Sequence, residues 1–168
     1  MAQSGNWDRK IQEWVEGLGE VSDLKPLARS LARESQDLMR QGFKRGQDPS
    51  GRAWMRKKNP DGRKPLTGET GRLAKPWPVT VGATWFKLTA PVEYAKYHQK
   101  GSKGGQKISP VNKSVLRFKM AGNIVFTKGP VKRGDIPKRK MYPDQGLPAK
   151  WESAYRETFE DFCDRHLK

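Results

Sequence analysis

Apolar residues recur at helical spacing near both ends of the chain and in hardly any segment between them. One stripe covers residues 24–41, with Ser22 or Asp23 before it as the cap and Gly42 after it as the stop. The other covers residues 148–166 and starts with a proline, which the first helical turn tolerates. Each stripe must be buried, so the fold is predicted to contain two helices packed on the rest of the chain.

A further helix is predicted upstream of these two. Asn6 can cap residues 7–18, and Gly17 and Gly19 end the pattern. Residues 1–20 are therefore interpreted as an N-terminal helical extension of a single domain that covers residues 21–168, a size that suits one hydrophobic core. The apolar stripe of this extension consists of Trp7, Ile11, Trp14, Val15 and Leu18.

The segment that follows the helix predicted over residues 24–41 is rich in Gly, Pro, Lys and Arg and has no sustained period. Residues 43–76 are predicted to form a mobile loop with a short helical turn near residues 70–74. Residues 78–81 and 84–90 are then predicted to pair as strands around a Gly-Ala turn. A loop of this length in a small domain is usually functional or disordered.

The remaining middle of the chain predicts a second hairpin. Residues 92–99 are expected to form a short helix and residues 100–113 a mobile basic arm. The apolar runs 115–118 and 124–126 flank an Ala-Gly-Asn turn, and a basic stretch over 128–140 leads to the last helix. This order predicts an α+β fold, in which a small antiparallel sheet of hairpins is packed by a long N-terminal helix and a C-terminal helix, with long basic loops.

Positive charge is concentrated in the middle of the chain. The formal net charge is +16, and residues 40–150 contain 26 basic and 6 acidic residues, whereas the two ends together contain 8 and 12. Such a field attracts phosphates or an acidic protein surface, and any DNA contact would depend strongly on salt. The charge does not identify the partner.

The single cysteine and the apolar pattern limit the cellular setting. Cys163 cannot form an internal disulfide or a multi-cysteine zinc site, which favours folding in a reducing cytoplasm. Neither a secretory signal nor a membrane span is expected, because no basic start precedes an apolar core and no run of about 18 apolar residues occurs.

The last predicted helix has one apolar and one acidic face. An acidic face is usually only a solvated surface, but it could also contact the basic middle of a neighbouring copy. Both interpretations stay open on sequence alone. The apolar face carries Trp151, Tyr155, Phe159, Phe162 and Cys163, and the acidic face carries Glu152, Glu157, Glu160, Asp161 and Asp164.

A turn sequence follows the long helix directly. Pro49 fixes φ, Asp48 can cap through its side chain, and Gly51 supplies a permissive backbone. Trp54 then anchors the returning chain on the core, behind Phe43 at the helix end. Three further segments follow in order, containing Thr70, Gly71 and Leu73, then Tyr94, Ala95, His98, Gln99 and Gly101, and then Pro137 and Arg139.

In this order and spacing the segments resemble the phage virion-morphogenesis family, the Mu G-like tail-completion proteins. The resemblance covers roughly residue 24 to the C-terminus and includes both hairpins and the closing helix. It implies a structural virion protein of the neck or tail end, assembled in the host cytoplasm, that forms a ring, a hexamer or dodecamer, around the DNA passage. It also implies adjoining neck, connector or tail-terminator proteins as partners, and no cofactor, metal or catalytic residue.

The sequence favours an enzymatic interpretation less than a structural one. His98 would need an orienting acid or a carboxylate cluster, but the acidic residues of the middle are scattered among loops. A histidine bonded in the fold or at a subunit contact is the favoured interpretation. Cys163 and His166 are only two possible ligands, and the glycines at 101–105 lack the strand and helix of a phosphate loop.

Basic clusters are the strongest charge features, and they either serve solubility or face the DNA passage or a charged neighbour. Trp77, Trp85 and Phe86 lie among basic residues as in single-strand binders, but positions near strands favour core packing. The alternatives to a ring subunit are a free nucleic-acid-binding protein and, less favoured, a nuclease. The candidate residues for contact with DNA in the passage or with a neighbouring subunit are Arg56, Lys57, Lys58, Arg63, Lys64, Lys100, Lys103, Lys107, Lys138, Arg139 and Lys140.

Overall fold

The computed structural model describes residues 23–57, 62–68, 70–110, 114–120 and 123–166, together with residues 13, 16 and 17. Those three isolated positions are helical. The rest of the helix predicted over residues 7–18 lies outside the described residues, and so does Lys58.

The first long helix, α1, comprises Lys25–Arg45. It does not stop at Gly42 as predicted, because the next apolar residue, Phe43, still falls on its buried face. Gly46 ends the helix instead, with a left-handed backbone (φ 71°, ψ 38°) and an N–H that donates to the Gly42 carbonyl at 2.8 Å. The loop predicted from residue 43 therefore begins three residues later.

The last helix, α3, comprises Ala149–His166 and begins one residue after Pro148, in agreement with the prediction. It packs along α1, where the hydroxyl groups of Ser35 and Tyr155 share a hydrogen bond of 2.6 Å. Of its predicted apolar stripe, Trp151, Phe162 and Cys163 are buried, and Tyr155 and Phe159 are half-buried. Of the predicted acidic face, Glu160 is half-buried and the other four residues are exposed.

Between these helices lie a 3-10 turn at Arg72–Ala74 and a short helix, α2, at Ala95–Lys100. Six strands form three antiparallel pairs. Strands β1 (Val79–Val81) and β2 (Phe86–Leu88) make the first predicted hairpin and contact α1, and β4 (Leu116–Met120) and β5 (Asn123–Thr127) make the second. The third pair joins β3 (Lys107–Ile108) to β6 (Val131–Lys132).

The α+β class is confirmed, with two long helices packed together and the first hairpin on α1. Within the described residues the strands form three separate two-stranded sheets and do not join into one small sheet. Strand pairs this short need not join into one sheet, because the core is built mainly from helix and loop side chains. It consists of Leu38, Met39, Phe43, Trp54, Leu73, Trp77, Ala95, Met141 and Trp151.

The predicted basic arm is folded against its own chain. Ser102 and Ile136 exchange two backbone hydrogen bonds of 2.9 Å, and the Gly105 N–H donates to the Arg133 carbonyl at 2.8 Å. A Cβ at Gly104 would overlap the backbone of residues 133–135, so glycine permits this close approach. Residues 102–108 and 131–136 thus form one basic ribbon, which replaces the expected separate arm and loop.

Tryptophan positions were only partly predictable. Trp77 is buried as expected, at 5% exposure, and Phe86 is half-buried. Trp85 is 53% exposed, so its predicted core position is wrong. The residue lies in the turn before β2, where its indole covers Gly82, and a Cβ at that glycine would overlap the ring.

Candidate functional site

The turn after α1 is built by Asp48. Its carboxylate accepts hydrogen bonds from the backbone N–H groups of Ser50 and Arg52, both at 2.9 Å. Pro49 is buried, and Gly51 has a φ of 82° that other residues rarely adopt. The hydrogen bonds of Asp48 and the positive φ of Gly51 are as the turn sequence predicts, and the turn directs the chain back toward the core.

Trp54 fastens the far side of this turn. Its ring packs edge-on against Phe43, with centroids 5.3 Å apart, and only 6% of the residue is exposed. The indole N–H donates to the Lys140 carbonyl at 2.9 Å. A buried indole needs such an acceptor, so the turn is tied to a segment 86 positions away.

Arg139 ties the same two segments together a second time. Its Nε donates to the Met55 carbonyl at 2.8 Å and its Nη2 to the Arg56 carbonyl at 3.2 Å. The residue is only 7% exposed, and burial lowers the pKa of the guanidinium. Arg139 was also a candidate for contact with DNA, but its burial and its two carbonyl acceptors remove it from that group.

Gln99 connects α2 to the segment after Arg139. Its side-chain oxygen accepts from the Met141 N–H, and its amide nitrogen donates to the Tyr142 carbonyl, both at 2.8 Å. The residue is 2% exposed, so both bonds are shielded from water. Ala95, one turn earlier, is also buried and faces the core.

Gly101 lets two backbones meet directly after α2. Its φ is 74°, and a Cβ there would lie 3.2 Å from the backbone nitrogen of Lys138. The Arg139 N–H donates to the His98 carbonyl at 2.7 Å beside this contact. Pro137 is half-buried within the same stretch.

The segment that contains Thr70, Gly71 and Leu73 reaches the core through Leu73, which is 2% exposed. Gly71 precedes it with a φ of 58°, as the start of the 3-10 turn requires, whereas Thr70 is exposed. The Leu73 carbonyl accepts a 3.1 Å hydrogen bond from the indole of Trp77, whose own carbonyl accepts one of 2.6 Å from Gln36 of α1. This segment is therefore attached to α1.

Three of the four sequence segments converge on one place, here called the motif junction: residues 48–56, 98–101 and 137–142. The fourth segment joins the same core through Leu73. Most of the side-chain hydrogen bonds of the junction go to backbone groups of the same chain. Such bonds fix the course of the loops that they join.

His98 lies at the edge of the motif junction. Tyr94 meets its ring edge-on at 6.1 Å, and its Nδ1 is buried without a hydrogen-bond partner among the described residues. Burial, and then the nearby charge of Arg139, lower the pKa of His98. No carboxylate hydrogen-bonds to this imidazole in the described part of the chain, so the orienting acid of a general base is lacking there.

The described residues contain no cluster of three or more His, Cys, Asp or Glu side chains that could hold a metal ion. The Cys163 side chain is buried, and the His166 ring leans on Phe162 with centroids 4.5 Å apart. None of the helices in the described ranges is both long and apolar enough to cross a membrane.

Most of the remaining basic candidates in the described ranges are exposed. Lys140 pairs closely with Asp144, which also lies 3.9 Å from Lys138. The hydrogen bond from Lys140, followed by the two lysine charges, lowers the pKa of Asp144. Lys64 donates to the Lys44 carbonyl. Lys57 is half-buried, and the exposed candidates are Arg56, Arg63, Lys64, Lys100, Lys103, Lys107 and Lys138.

Two apolar surfaces were not singled out from the sequence. One is an aromatic-lined groove of about 620 Å³ between α1, β2, α2 and α3, bordered by Leu147, which is 47% exposed. The other is a face of the β4–β5 hairpin that displays Ile124 and Phe126, 53% and 61% exposed. The apolar run 124–126 did signal a strand, but only the strand register shows which side chains face outward.

The fold and the junction define a small α+β scaffold in which side chains hold basic loops on a two-helix core. A model of the phage virion morphogenesis family matches residues 7–161. The chain therefore belongs to that family, as its sequence segments predicted, and its role is in building the phage particle. No curated protein and no solved structure shows significant similarity to the chain.

Proposed function

We propose that this protein is a ring-forming subunit of the phage neck or tail end, which completes the tail and joins it to the head. The motif junction carries this proposal. Its buried side chains bind backbone groups of their own chain, so the family segments build a rigid support for surface loops. A support of this kind suits a protein that acts by contact with its neighbours, with no catalytic step and no cofactor.

The charge distribution supports a position around DNA. Lys103 and Lys107 are exposed lysines of the basic ribbon, and they lie with the exposed Lys100 on one continuous segment. Repetition of this segment around a ring would line the passage with positive charge, which attracts the phosphate backbone without reading its sequence. The proposed partners are therefore further copies in a hexamer or dodecamer, adjacent neck, connector or tail-terminator proteins, and the genomic DNA.

The proposal is tested with phage that lack the protein. We expect full heads and separate, incomplete tails by electron microscopy, because the ring that completes the tail and joins it to the head would be missing. Expression of the wild-type chain from a plasmid should restore joined particles, and mass spectrometry should find the protein in them. Joined particles that contain no copy of the protein would contradict the proposed function.

The second candidate is a free nucleic-acid-binding protein, which the net charge of +16 favours. Its affinity for duplex DNA should fall steeply with salt, since each neutralised phosphate releases counterions. Tight binding by the isolated monomer at physiological salt, combined with absence from the particle, would favour this candidate. Weak binding by the monomer and presence in the particle would favour the ring subunit.

A further inference from the structure

The β4–β5 hairpin has two unequal faces. Its register places Leu116 opposite Thr127 and Phe118 opposite Val125, and these four residues are all half-buried. Side chains directly opposite each other lie on the same face, so the alternate residues form the second face. That face displays Ile124 and Phe126, with Arg117 opposite Phe126.

This second face is open to solvent. Ile124 is 53% exposed, Phe126 is 61% exposed and Arg117 is also exposed. The hairpin's main contacts are between its own two strands. Two large apolar side chains about 7 Å apart on one strand, unpacked and next to a cation, are typical of a contact surface for another protein. We call Ile124 and Phe126 the knob.

The groove is a matching concave surface at a different place on the same chain. Its walls include Met39, Trp77, Leu88, Ala90, Tyr142 and Trp151, and its volume of about 620 Å³ can accept two apolar side chains. Trp77 and Tyr142 meet edge-on at 5.7 Å and form part of an aromatic lining. Leu147 is an exposed apolar residue of its rim.

Charge around the groove complements the hairpin. Residues 114–132 contain four basic and no acidic residues. Glu93 and Lys96 both line the groove. Tyr155 lines it as well, and burial, together with the nearby charge of Glu34, raises the pKa of its phenol. Burial, and then repulsion from Asp37 and Glu157, raise the pKa of Glu34. A basic segment seated here would relieve that repulsion.

We propose that the knob of one copy inserts into the groove of the next copy. The proposal rests on the ring function, and it names the surfaces that would close the ring. A projection and a cavity at different places on one chain make a heterologous contact, which closes into a ring when the rotation between copies permits. Seating the two side chains would place aromatic and aliphatic anchors in a desolvated pocket, the usual centre of a protein interface.

The test uses variants that leave the fold intact, since the altered residues are exposed. The knob variant is Ile124→Asp with Phe126→Asp, and the groove variant is Leu147→Asp. The control is Met55→Asp, which introduces the same type of change at a residue that is 66% exposed and lies outside both surfaces. Circular dichroism and thermal unfolding should be unchanged in all three.

Native mass spectrometry and sedimentation then measure assembly. We expect the knob and groove variants each to self-associate at least about 30-fold more weakly, equivalent to about 2 kcal/mol, while the control assembles like the wild type. A mixture of knob and groove variants should give a heterodimer and nothing larger, because each keeps one intact half of the contact. A symmetric contact between two knobs would instead leave the groove variant fully assembled and would overturn the proposal.

A photo-cross-linking residue at position 126 tests the contact inside particles. It should link to residues 86–96 or 142–155 of another copy, and mass spectrometry of the linked peptides identifies them. A different outcome is that the knob variant assembles the same ring as the wild type and differs only in a lower affinity for DNA. That result would show that the hairpin binds DNA, and it would overturn this inference alone. No self-association in solution and no link between copies in particles would overturn the proposed ring as well.

Discussion

Replacement of Gln99 by leucine tests the motif junction most directly. Leucine has a similar volume and fits the apolar surroundings, so the packing loss should be small. The Met141 N–H and the Tyr142 carbonyl would each lose their partner at 2.8 Å. An orphaned buried polar group costs about 1–3 kcal/mol, so the two together predict a loss of about 2–6 kcal/mol.

Equilibrium unfolding in urea measures this loss. With a slope of about 2 kcal/mol per M, the midpoint should fall by at least about 1 M. The matched control is Gln106→Leu, at an exposed position, where the free energy of unfolding should change by no more than about 0.5 kcal/mol. If the two variants unfold at the same urea concentration, Gln99 does not hold α2 to the segment at 141–142.

Replacement of Gln99 by glutamate separates hydrogen bonding from packing. A protonated carboxyl group can accept from Met141 and donate to Tyr142, whereas a carboxylate repels the carbonyl and is costly to bury. The folded-state pKa of this new group should lie above its unfolded value, so its stability is present at low pH and lost as pH rises. Urea unfolding at several pH values should show a deficit, relative to the wild type, that shrinks as pH falls.

Three further predictions concern the same region. Arg139→Met should lower the free energy of unfolding by about 2–4 kcal/mol in urea, because two backbone carbonyls lose a charged donor. A loss below about 1 kcal/mol would contradict a stabilising role for these two hydrogen bonds. Gly46→Ala should lower the free energy of unfolding by about 1 kcal/mol in the same assay because of its φ of 71°, while Gly134→Ala, at a residue with no such φ, should leave it unchanged. Equal losses in the two variants would contradict the role of Gly46 in ending α1. Burial and Arg139 hold the pKa of His98 below 6.5, so the unfolded chain binds more protons and stability should fall as pH drops through 6.5. Urea unfolding at several pH values should show a flatter slope for His98→Phe, and an unchanged slope would refute the assignment to His98.

Local pattern was sufficient for the elements of the fold. The helices over 25–45 and 149–166, the short helix before Gly101 and both hairpins follow from periodicity and turn residues, which act over a few positions. The predicted end at Gly42 was wrong because one glycine inside a helix costs only about 1 kcal/mol, which burial of Phe43 offsets. The turn of Asp48 was equally predictable, since its hydrogen bonds span at most four residues.

Contacts between distant segments were not predictable in the same way. Arg139 looks like any other cation of a basic stretch, and only the structure shows that it is buried against the carbonyls of residues 55 and 56. The basic ribbon is a second case, because residues 102–108 pair with residues 131–136 through backbone groups that every residue carries. The glycine at position 104 permits this approach but does not identify the segment that it meets.

The sequence by itself therefore determined the α+β class, the order of the elements, the positive middle and the family, because periodicity, charge and ordered segments are properties of residue types. The tertiary structure alone decided which cations are exposed, how the segments meet in one junction, and where the knob and the groove lie. These depend on which backbone carbonyls and which strand faces come together in space, and residue types along the chain do not encode that directly.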